Sequence, residues 1–251
     1  MVNSLLAVVL LFGVSLRAAE PARIVFMIGE EEYHTWETLP DFAGKELKQH
    51  GYHVDIINAD ATDKNQFPGI VTALKDADLL FLSVRRRTPP KEQLDAVREY
   101  LAAGKPLVGI RTACHAFALR PTDKLTDPRL AAWQTFDPEV IGGNYTGHHG
   151  KDKVAVSLAP GGERHAILHG IGVAKLIGNG GLYKVSPLDK TSTPLLIGTI
   201  EGQPAEPIAW THLQGAKQGR VFYTSLGHPD DFQNSEFRQF LLNAVVWALG
   251  K

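Results

Sequence analysis

The sequence has 251 residues, of which 44% are hydrophobic and 21% are charged, and its formal net charge at pH 7 is −1. This length and balance are typical of a globular protein with one sizeable core. The near-neutral charge argues against a polyanion track, because the basic run at residues 85–87 is short and isolated; we expect no nucleic-acid partner. The single cysteine, Cys114, excludes an intrachain disulfide.

The N-terminus carries an apolar stretch, residues 5–16, followed by the small residues Ala18 and Ala19. About a dozen apolar residues are too few for a membrane span, which needs ~20. The lengths match a secretory signal peptide, so we predict that residues 1–19 are a signal peptide and that the protein is exported to the periplasm or the medium. The alternative is a buried N-terminal helix. We predict no membrane span elsewhere in the sequence.

The rest of the chain alternates short apolar strands with helices. Strands are predicted at residues 23–28, 52–57, 79–82 and 107–110, and helices at residues 41–50, 70–75 and 90–103. This alternation predicts an α/β fold with a doubly wound, mostly parallel sheet in three layers. Beyond a looser region at residues 121–150, strands are predicted at residues 154–158, 181–185, 195–200, 208–212 and 220–225, and a closing helix at residues 237–249. We expect one domain over residues 20–251.

Residues 106–117 are the most informative segment. An apolar run ends at Ile110, and Arg111, Cys114 and His115 follow at once. In a parallel α/β sheet this junction lies where ligands bind, and in enzymes with a strand-to-helix elbow it carries the nucleophile. Here Arg111 holds the elbow position and Cys114 comes three residues later. Cys114 is therefore interpreted as a small apolar filler, and a cysteine hydrolase is the third of three functional hypotheses.

Polar and reactive side chains follow the ends of several predicted strands. Because the carboxyl ends of parallel strands meet at one edge of a sheet, we expect these side chains to converge. Imidazoles gathered there can act as acid and base. The residues predicted to be catalytic are His34, His115, His228 and Asp230. The residues predicted to bind substrate are Ser83, Arg85, Arg111, Tyr145 and His148.

Metal binding is the second use that these imidazoles could serve. No His-Glu-x-x-His, Cys-x-x-Cys or EF-hand pattern occurs, so a metal site would have to be assembled from distant loops. The cofactor hypothesis is a divalent metal, zinc in the first place. Its predicted ligands are His34, His115, His148 and His228.

Several candidates have a structural alternative. His34 follows an acidic run, residues 30–32, and both can simply be solvated, although the run could also bind a cation. His115 can be a partly buried, hydrogen-bonded histidine. Arg111 either holds an anion or a hydroxyl-rich ligand, or forms an internal salt bridge to an acidic residue such as those of the first loop.

Three segments of the second half are distinctive: Pro-Ile-Ala-Trp-Thr-His at residues 207–212, Gly-Arg-Val-Phe-Tyr-Thr-Ser-Leu-Gly-His at residues 219–228, and Trp-Ala-Leu at residues 247–249. Together they resemble the ThuA-like, or trehalose-utilisation, family, a branch of the class I glutamine amidotransferase-like fold. Residues 164–171 look like the family's His-Pro-Ile…Gly-Leu segment with Ala166 in place of Pro. Residues 109–111 look like its Gly-Leu-His segment with Arg111 in place of His. The similarity covers about residues 23–249.

The resemblance implies a link to carbohydrate metabolism, through disaccharides and their keto forms. His228, Pro229 and Asp230 resemble the His-Pro-Glu segment of glutamine amidotransferases, but Arg111 occupies the place of their cysteine nucleophile, so glutamine hydrolysis is not expected. The leading hypothesis is an exported enzyme that acts on a glycoside or keto-sugar by histidine acid/base or metal-assisted chemistry. The alternative is a non-catalytic carbohydrate-binding module on the same fold. The sequence leaves the oligomeric state open.

Overall fold

The computed structural model describes residues 20–150 and 153–251, so the predicted signal peptide lies outside the described residues. The strands are β1 (Arg23–Gly29), β2 (His53–Asn58), β3 (Leu79–Val84), β4 (Leu107–Ile110), β5 (Gly147–His149), β6 (Val154–Leu158), β7 (Ile177–Gly178), β8 (Leu182–Lys184), β9 (Thr193–Thr199), β10 (Glu206–Gln214) and β11 (Gly219–Thr224). They form a nine-stranded sheet with the strand order β2-β1-β3-β4-β11-β10-β9-β6-β7, beside a two-stranded sheet of β5 and β8.

The large sheet is parallel in one half and antiparallel in the other. Strands β2, β1, β3, β4 and β11 pair in parallel, as predicted for the first four. Strands β10, β9, β6 and β7 continue the sheet by antiparallel pairing. The turn at residues 215–218 between β10 and β11 is too short for a parallel crossover, which requires a dozen or more residues. The fold is therefore mixed α/β.

The helices are α1 (Thr35–Phe42), α2 (Ile70–Lys75), α3 (Lys91–Ala102) and α4 (Ser235–Ala248). Helix α1 begins six residues before the predicted start at residue 41 and continues as one π-helical turn, Ala43–Leu47. Its early start has a local cause, because the buried carboxylate of Glu30 accepts the backbone N–H of Thr35 at 2.7 Å. A short 3-10 helix, Arg111–His115, follows β4 directly.

The core lies on both faces of the sheet. Alternate side chains of β1 point to opposite sides, so Phe26 joins a cluster with α1 and α4 while Met27 joins a second cluster with α2 and α3. The sequences of β3 and β4, apolar except for Ser83, are buried throughout, as expected for strands covered on both faces. Among residues 20–150 and 153–251, no helix combines the length and apolarity needed to cross a membrane.

Candidate functional site

A cavity of about 280 Å³ lies at the edge of the sheet where the parallel strands end. It collects side chains from the loops that follow β1, β3, β4 and β11, and from the segments around β5 and β8. Its lining residues are Glu32, Tyr33, Arg85, His115, Tyr145, His148, Gly150, Asn179, Gly180, Tyr183 and His228. The sheet edge thus brings together five of the residues singled out in the sequence.

Four other predicted site residues do not line this cavity. Ser83 is fully buried, and its hydroxyl lies 2.9 Å from that of Thr35. His34 lies outside, with its ring 4.6 Å from that of Trp36 and its side chain 54% exposed. Asp230 is 71% exposed beside His228. Arg111 lies beneath the cavity and is 1% exposed.

Arg111 forms the floor under the cavity through two lining tyrosines. Its guanidinium carbon lies 4.1 Å from the ring centroid of Tyr33 and 4.6 Å from that of Tyr183, distances at which a cation is attracted to the ring face. Its terminal nitrogens donate to the carbonyl oxygens of Ser225 and of Gly180, the latter at 2.5 Å. No carboxylate of the described residues forms a salt bridge with Arg111, so the internal ion pair considered from the sequence is not present there.

The elbow after β4, at Arg111, has an unusual backbone conformation that a neighbouring strand stabilises. Its φ of 48° lies in the left-handed region, which non-glycine residues seldom adopt. The buried hydroxyl of Tyr223 donates to the Arg111 carbonyl at 2.5 Å. A neighbouring strand therefore fixes a turn that the sequence at this position does not favour.

His115 is a buried imidazole in the cavity wall. It is 5% exposed, and its ring stacks on that of Tyr145 with centroids 4.3 Å apart. Burial, and then the nearby guanidinium groups of Arg86 and Arg85, lower the pKa of His115 well below its ordinary value. The ring is consequently neutral at pH 7, and one of its nitrogens is unprotonated.

Cys114 lies next to this imidazole and is not an activated nucleophile. Its sulfur lies 3.1 Å from Nδ1 of His115 and 3.6 Å from the carbonyl oxygen of Arg111. The residue is 1% exposed, and burial raises the pKa of its thiol well above the ordinary value. A nucleophilic cysteine needs an exposed, stabilised thiolate, which is the opposite condition.

His228 reaches the cavity from the loop after β11. Its side chain is 31% exposed, and Nδ1 accepts the backbone N–H of Asp230 at 3.2 Å. A neutral ring with this acceptor at Nδ1 carries its proton on Nε2. The Asp230 carboxylate, 3.5 Å from Nδ1, can pair with the ring once it is protonated.

Asp231 holds the His228 loop in place. Its carboxylate is 2% exposed and accepts the backbone N–H groups of Gly227 and His228 at 2.7 and 3.0 Å. The other oxygen accepts the backbone and side-chain N–H groups of Asn179, at 3.1 and 2.7 Å. One carboxylate thus fixes two walls of the cavity.

The loop after β1 is held in a similar way by Glu30. This residue is 2% exposed, and its carboxylate accepts the backbone N–H groups of Glu32 and Tyr33 at 2.8 and 2.7 Å. The side chain of Glu32 then pairs with Nε of Arg85 at 2.9 Å on the cavity rim. Glu30 is therefore a structural cap rather than part of a solvated acidic run.

The predicted metal ligands do not form a set. His115, His148 and His228 share the cavity, whereas His34 does not line it. Across the described parts of the chain, no group of three or more His, Cys, Asp or Glu side chains is arranged to hold a metal ion. In this arrangement the donors do not fit a zinc site, which requires three or four converging ligands.

The sequence profile of the ThuA family, described as trehalose utilisation, matches residues 24–248. The chain belongs to the ThuA family. Among solved structures, a ThuA-like protein from Bacteroides uniformis is 20% identical with a TM-score of 0.66, over 92% of this chain and 93% of that one. A ThuA-like protein from Parabacteroides merdae is 17% identical with a TM-score of 0.62, over 92% and 91%. These structural similarities show that the chain has the same fold as the two ThuA-like proteins.

A β-galactosidase from Rahnella sp. R3 has a similar fold in part of its length. It is 14% identical with a TM-score of 0.59, and the match covers 91% of this chain and 31% of that one. No curated protein matches the sequence significantly. The family assignment thus depends on the ThuA profile.

Some residues of this ThuA-family site were not predicted from the sequence. Glu32 and Tyr33 lie in the loop after the first strand, which was expected at this edge, but only His34 of that loop was given a role in the site, and nothing in the sequence marks Asn179. Asp231 carries a usable signal, since it directly follows the His-Pro-Asp segment. The likeness to the amidotransferase His-Pro-Glu segment favoured its neighbour Asp230 instead.

Proposed function

We propose that this ThuA-family protein is a carbohydrate-processing enzyme that acts on a glycoside or keto-sugar by histidine acid/base chemistry. The observation that carries the proposal is the pair His115 and His228 in one cavity, each with a different local hydrogen-bond arrangement. The substrate class comes from the family's description, trehalose utilisation. The cavity volume, about 280 Å³, is near the lower end of the ~300–1,000 Å³ range for small-molecule sites.

His115 is the proposed base. When the Cys114 thiol donates to the Arg111 carbonyl, the Nδ1–H of His115 donates to the sulfur and Nε2 is left free to accept a proton. The lowered pKa keeps this ring neutral over the physiological range. The stacking on Tyr145 fixes the plane of the ring.

His228 is the proposed acid. It acts from its imidazolium form, in which both ring nitrogens carry protons and the Asp230 carboxylate, 3.5 Å from Nδ1, pairs with the ring. Transfer of the Nε2 proton to the substrate leaves the neutral imidazole, and a proton from solvent restores the imidazolium. The two imidazoles are thereby assigned complementary roles.

Enolisation of a keto-sugar shows how these groups can act together. His115 removes the proton from the carbon beside the keto group, the C–H electron pair becomes the C=C bond, and the carbonyl oxygen gains the negative charge. Arg85 on the rim stabilises that oxygen, and His228 supplies a proton to it. His148 and Tyr145 are proposed to bind the sugar hydroxyls, while Arg111 contributes positive charge from beneath the tyrosines.

A carbohydrate-binding module is the alternative. The absence of an activated cysteine favours it, since Cys114 is buried with a raised thiol pKa. The two hypotheses can be distinguished by measuring both the binding and the turnover of a panel of disaccharides and keto-sugars. An enzyme loses turnover in His228→Ala and keeps most of its binding, whereas a binding module has no turnover in either protein.

Three further expectations stay proposals. A metal-assisted mechanism with a divalent cation, zinc in the first place, is one of them. We assign no step to the cation because the described donors do not converge. Export through a signal peptide at residues 1–19 is tested by the N-terminal sequence of the mature protein. We also propose the doubly wound, three-layered arrangement for the parallel half of the sheet.

A further inference from the structure

A second cavity lies on the other side of the loop that carries Glu32 and Tyr33. Its volume is about 300 Å³, and its floor is formed where β1 and β2 end. The residues that line it are Ile28, Gly29, Glu30, Glu31, Trp36, Asn58, Ala59, Ala61, Lys64 and Arg87. None of these residues lines the first cavity.

Trp36 provides an aromatic wall in this second cavity. The residue is 37% exposed, in contrast to the fully buried Trp210. The His34 ring packs against Trp36 with centroids 4.6 Å apart and a tilt of 31°, which restrains the indole. Small residues of the floor, Gly29, Ala59 and Ala61, leave space in front of it.

The rim places hydrogen-bond donors directly beside acceptors. The Glu31 carboxylate lies 3.0 Å from Nη2 of Arg87 and 3.2 Å from Nζ of Lys64. These hydrogen bonds, first from Arg87 and then from Lys64, lower the pKa of Glu31, so the carboxylate stays ionised and accepts. Arg87 is oriented further by donation from Nε to the carbonyl of Gly29 at 2.8 Å.

We propose that this second cavity is a separate binding site for a sugar ring. Sugar hydroxyls both donate and accept, so adjacent hydroxyls match a carboxylate flanked by an ammonium and a guanidinium. The apolar face of the ring would lie against Trp36. A phosphate dianion can only accept hydrogen bonds and offers no donor to the Glu31 carboxylate, so a neutral polyol fits the rim better than an anion. The site does not depend on turnover in the first cavity.

The loop between the cavities gives this second site a defined relation to the first. Glu30, buried, fixes the backbone from Glu32 to Thr35 by its hydrogen bonds. Glu31 and Trp36 face one cavity, and Glu32 and Tyr33 face the other. The same rigid loop therefore forms a wall of both sites.

The test is saccharide binding by saturation-transfer NMR and calorimetry, with D-glucose and α,α-trehalose as probes and adenosine as a planar, non-saccharide comparison. We expect Trp36→Ala to weaken the saccharide binding of this site about tenfold, and Trp36→Phe, which keeps an aromatic wall, to weaken it less. Lys64→Ala provides a second variant at a 41% exposed side chain, where the fold is not at risk. Trp133→Phe, outside both cavities, is the matched control.

The outcomes separate this site from the first. Saccharide binding that persists in His148→Ala, whose side chain is proposed to bind sugar in the first cavity, but falls in Trp36→Ala and Lys64→Ala supports the second site, even if no turnover is found anywhere. Binding that is unchanged in both Trp36→Ala and Lys64→Ala overturns the proposal and leaves the first cavity unaffected. Binding of adenosine but not of either saccharide also overturns it.

Discussion

Asp231 holds Asn179 through two hydrogen bonds to one carboxylate oxygen, 3.1 Å from the backbone nitrogen and 2.7 Å from the side-chain amide. Its other oxygen accepts from the backbone of Gly227 and His228. Asp231 itself does not line the cavity, while Asn179 and His228 do. The geometry of the proposed acid therefore depends on a buried carboxylate behind it.

Replacement of Asp231 by Asn is expected to disturb this arrangement. An amide nitrogen in place of one carboxylate oxygen would face N–H groups, and the unmade hydrogen bonds would cost about 2 kcal/mol in unfolding free energy. Turnover or ligand affinity should fall about tenfold or more as His228 shifts. Urea denaturation and the sugar assays measure the two effects. Asp95→Asn, at a 57% exposed surface pair, is the control, and equal behaviour of the two variants would contradict this role.

Gly180 is expected to tolerate no side chain. A Cβ there would lie 2.5 Å from Cζ of Arg111, so the guanidinium would have to leave its place between Tyr33 and Tyr183. We predict that Gly180→Ala lowers the melting temperature by several degrees and weakens sugar binding. Gly44→Ala is the matched control, since nothing lies within 4 Å of its Cβ position. Indistinguishable melting temperatures for the two variants would show that Arg111 is not held as described.

Asp137 is expected to make stability depend on pH. It is 8% exposed, and burial raises its pKa from 3.8 to about 7. The folded protein thus binds this proton more tightly than the unfolded chain. The stabilising contribution is complete below about pH 4 and is lost as the pH rises through about 7, with an upper bound of about 4 kcal/mol.

Asp137→Asn removes this titration while keeping an oxygen that can accept from the backbone N–H of Tyr145. The variant should gain stability relative to the natural protein as the pH is raised from 5 to 8. Chemical denaturation at both pH values measures the difference. A constant difference between the two proteins would mean that Asp137 does not titrate in this range.

Metal content gives an independent prediction. Because the described donors do not converge, we expect elemental mass spectrometry of gently purified protein to find well under one divalent ion per chain. His115→Ala and His228→Ala should leave that value unchanged. Near-stoichiometric zinc that is lost in both variants would instead establish a metal site and favour the metal-assisted mechanism.

The parallel half of the sheet was predictable because its strands are short apolar runs. Strands β1, β3 and β4 are buried on both faces, so their sequences are hydrophobic apart from Arg23 at the start of β1 and Ser83 near the end of β3. The start of α1 was not predictable, since it depends on a capping carboxylate from Glu30. Likewise, the three-residue strand β5 forms only by pairing with β8.

Part of the site was also predictable, because reactive residues that directly follow predicted strands are expected at one edge of the sheet. Histidines after strands stand out, and His115 and His228 do meet in one cavity. Asp230 and Asp231 are equivalent in sequence, yet one side chain is 71% exposed and the other residue is 2% exposed. The partners of Arg111, Tyr33 and Tyr183, come from distant segments, and only the folded chain shows that aromatic rings rather than a carboxylate receive its charge.

The central claim is acid/base chemistry by His115 and His228 on a keto-sugar. Base-assisted enolisation exchanges the proton beside the keto group for deuterium in heavy water, and NMR follows this exchange directly. With a keto-disaccharide we expect fast exchange in the natural protein, a loss of about a hundredfold or more in His115→Ala, and His50→Ala, at an exposed position, unchanged. Exchange that is no faster than in buffer, with the sugar bound, would contradict the claim and leave a carbohydrate-binding module.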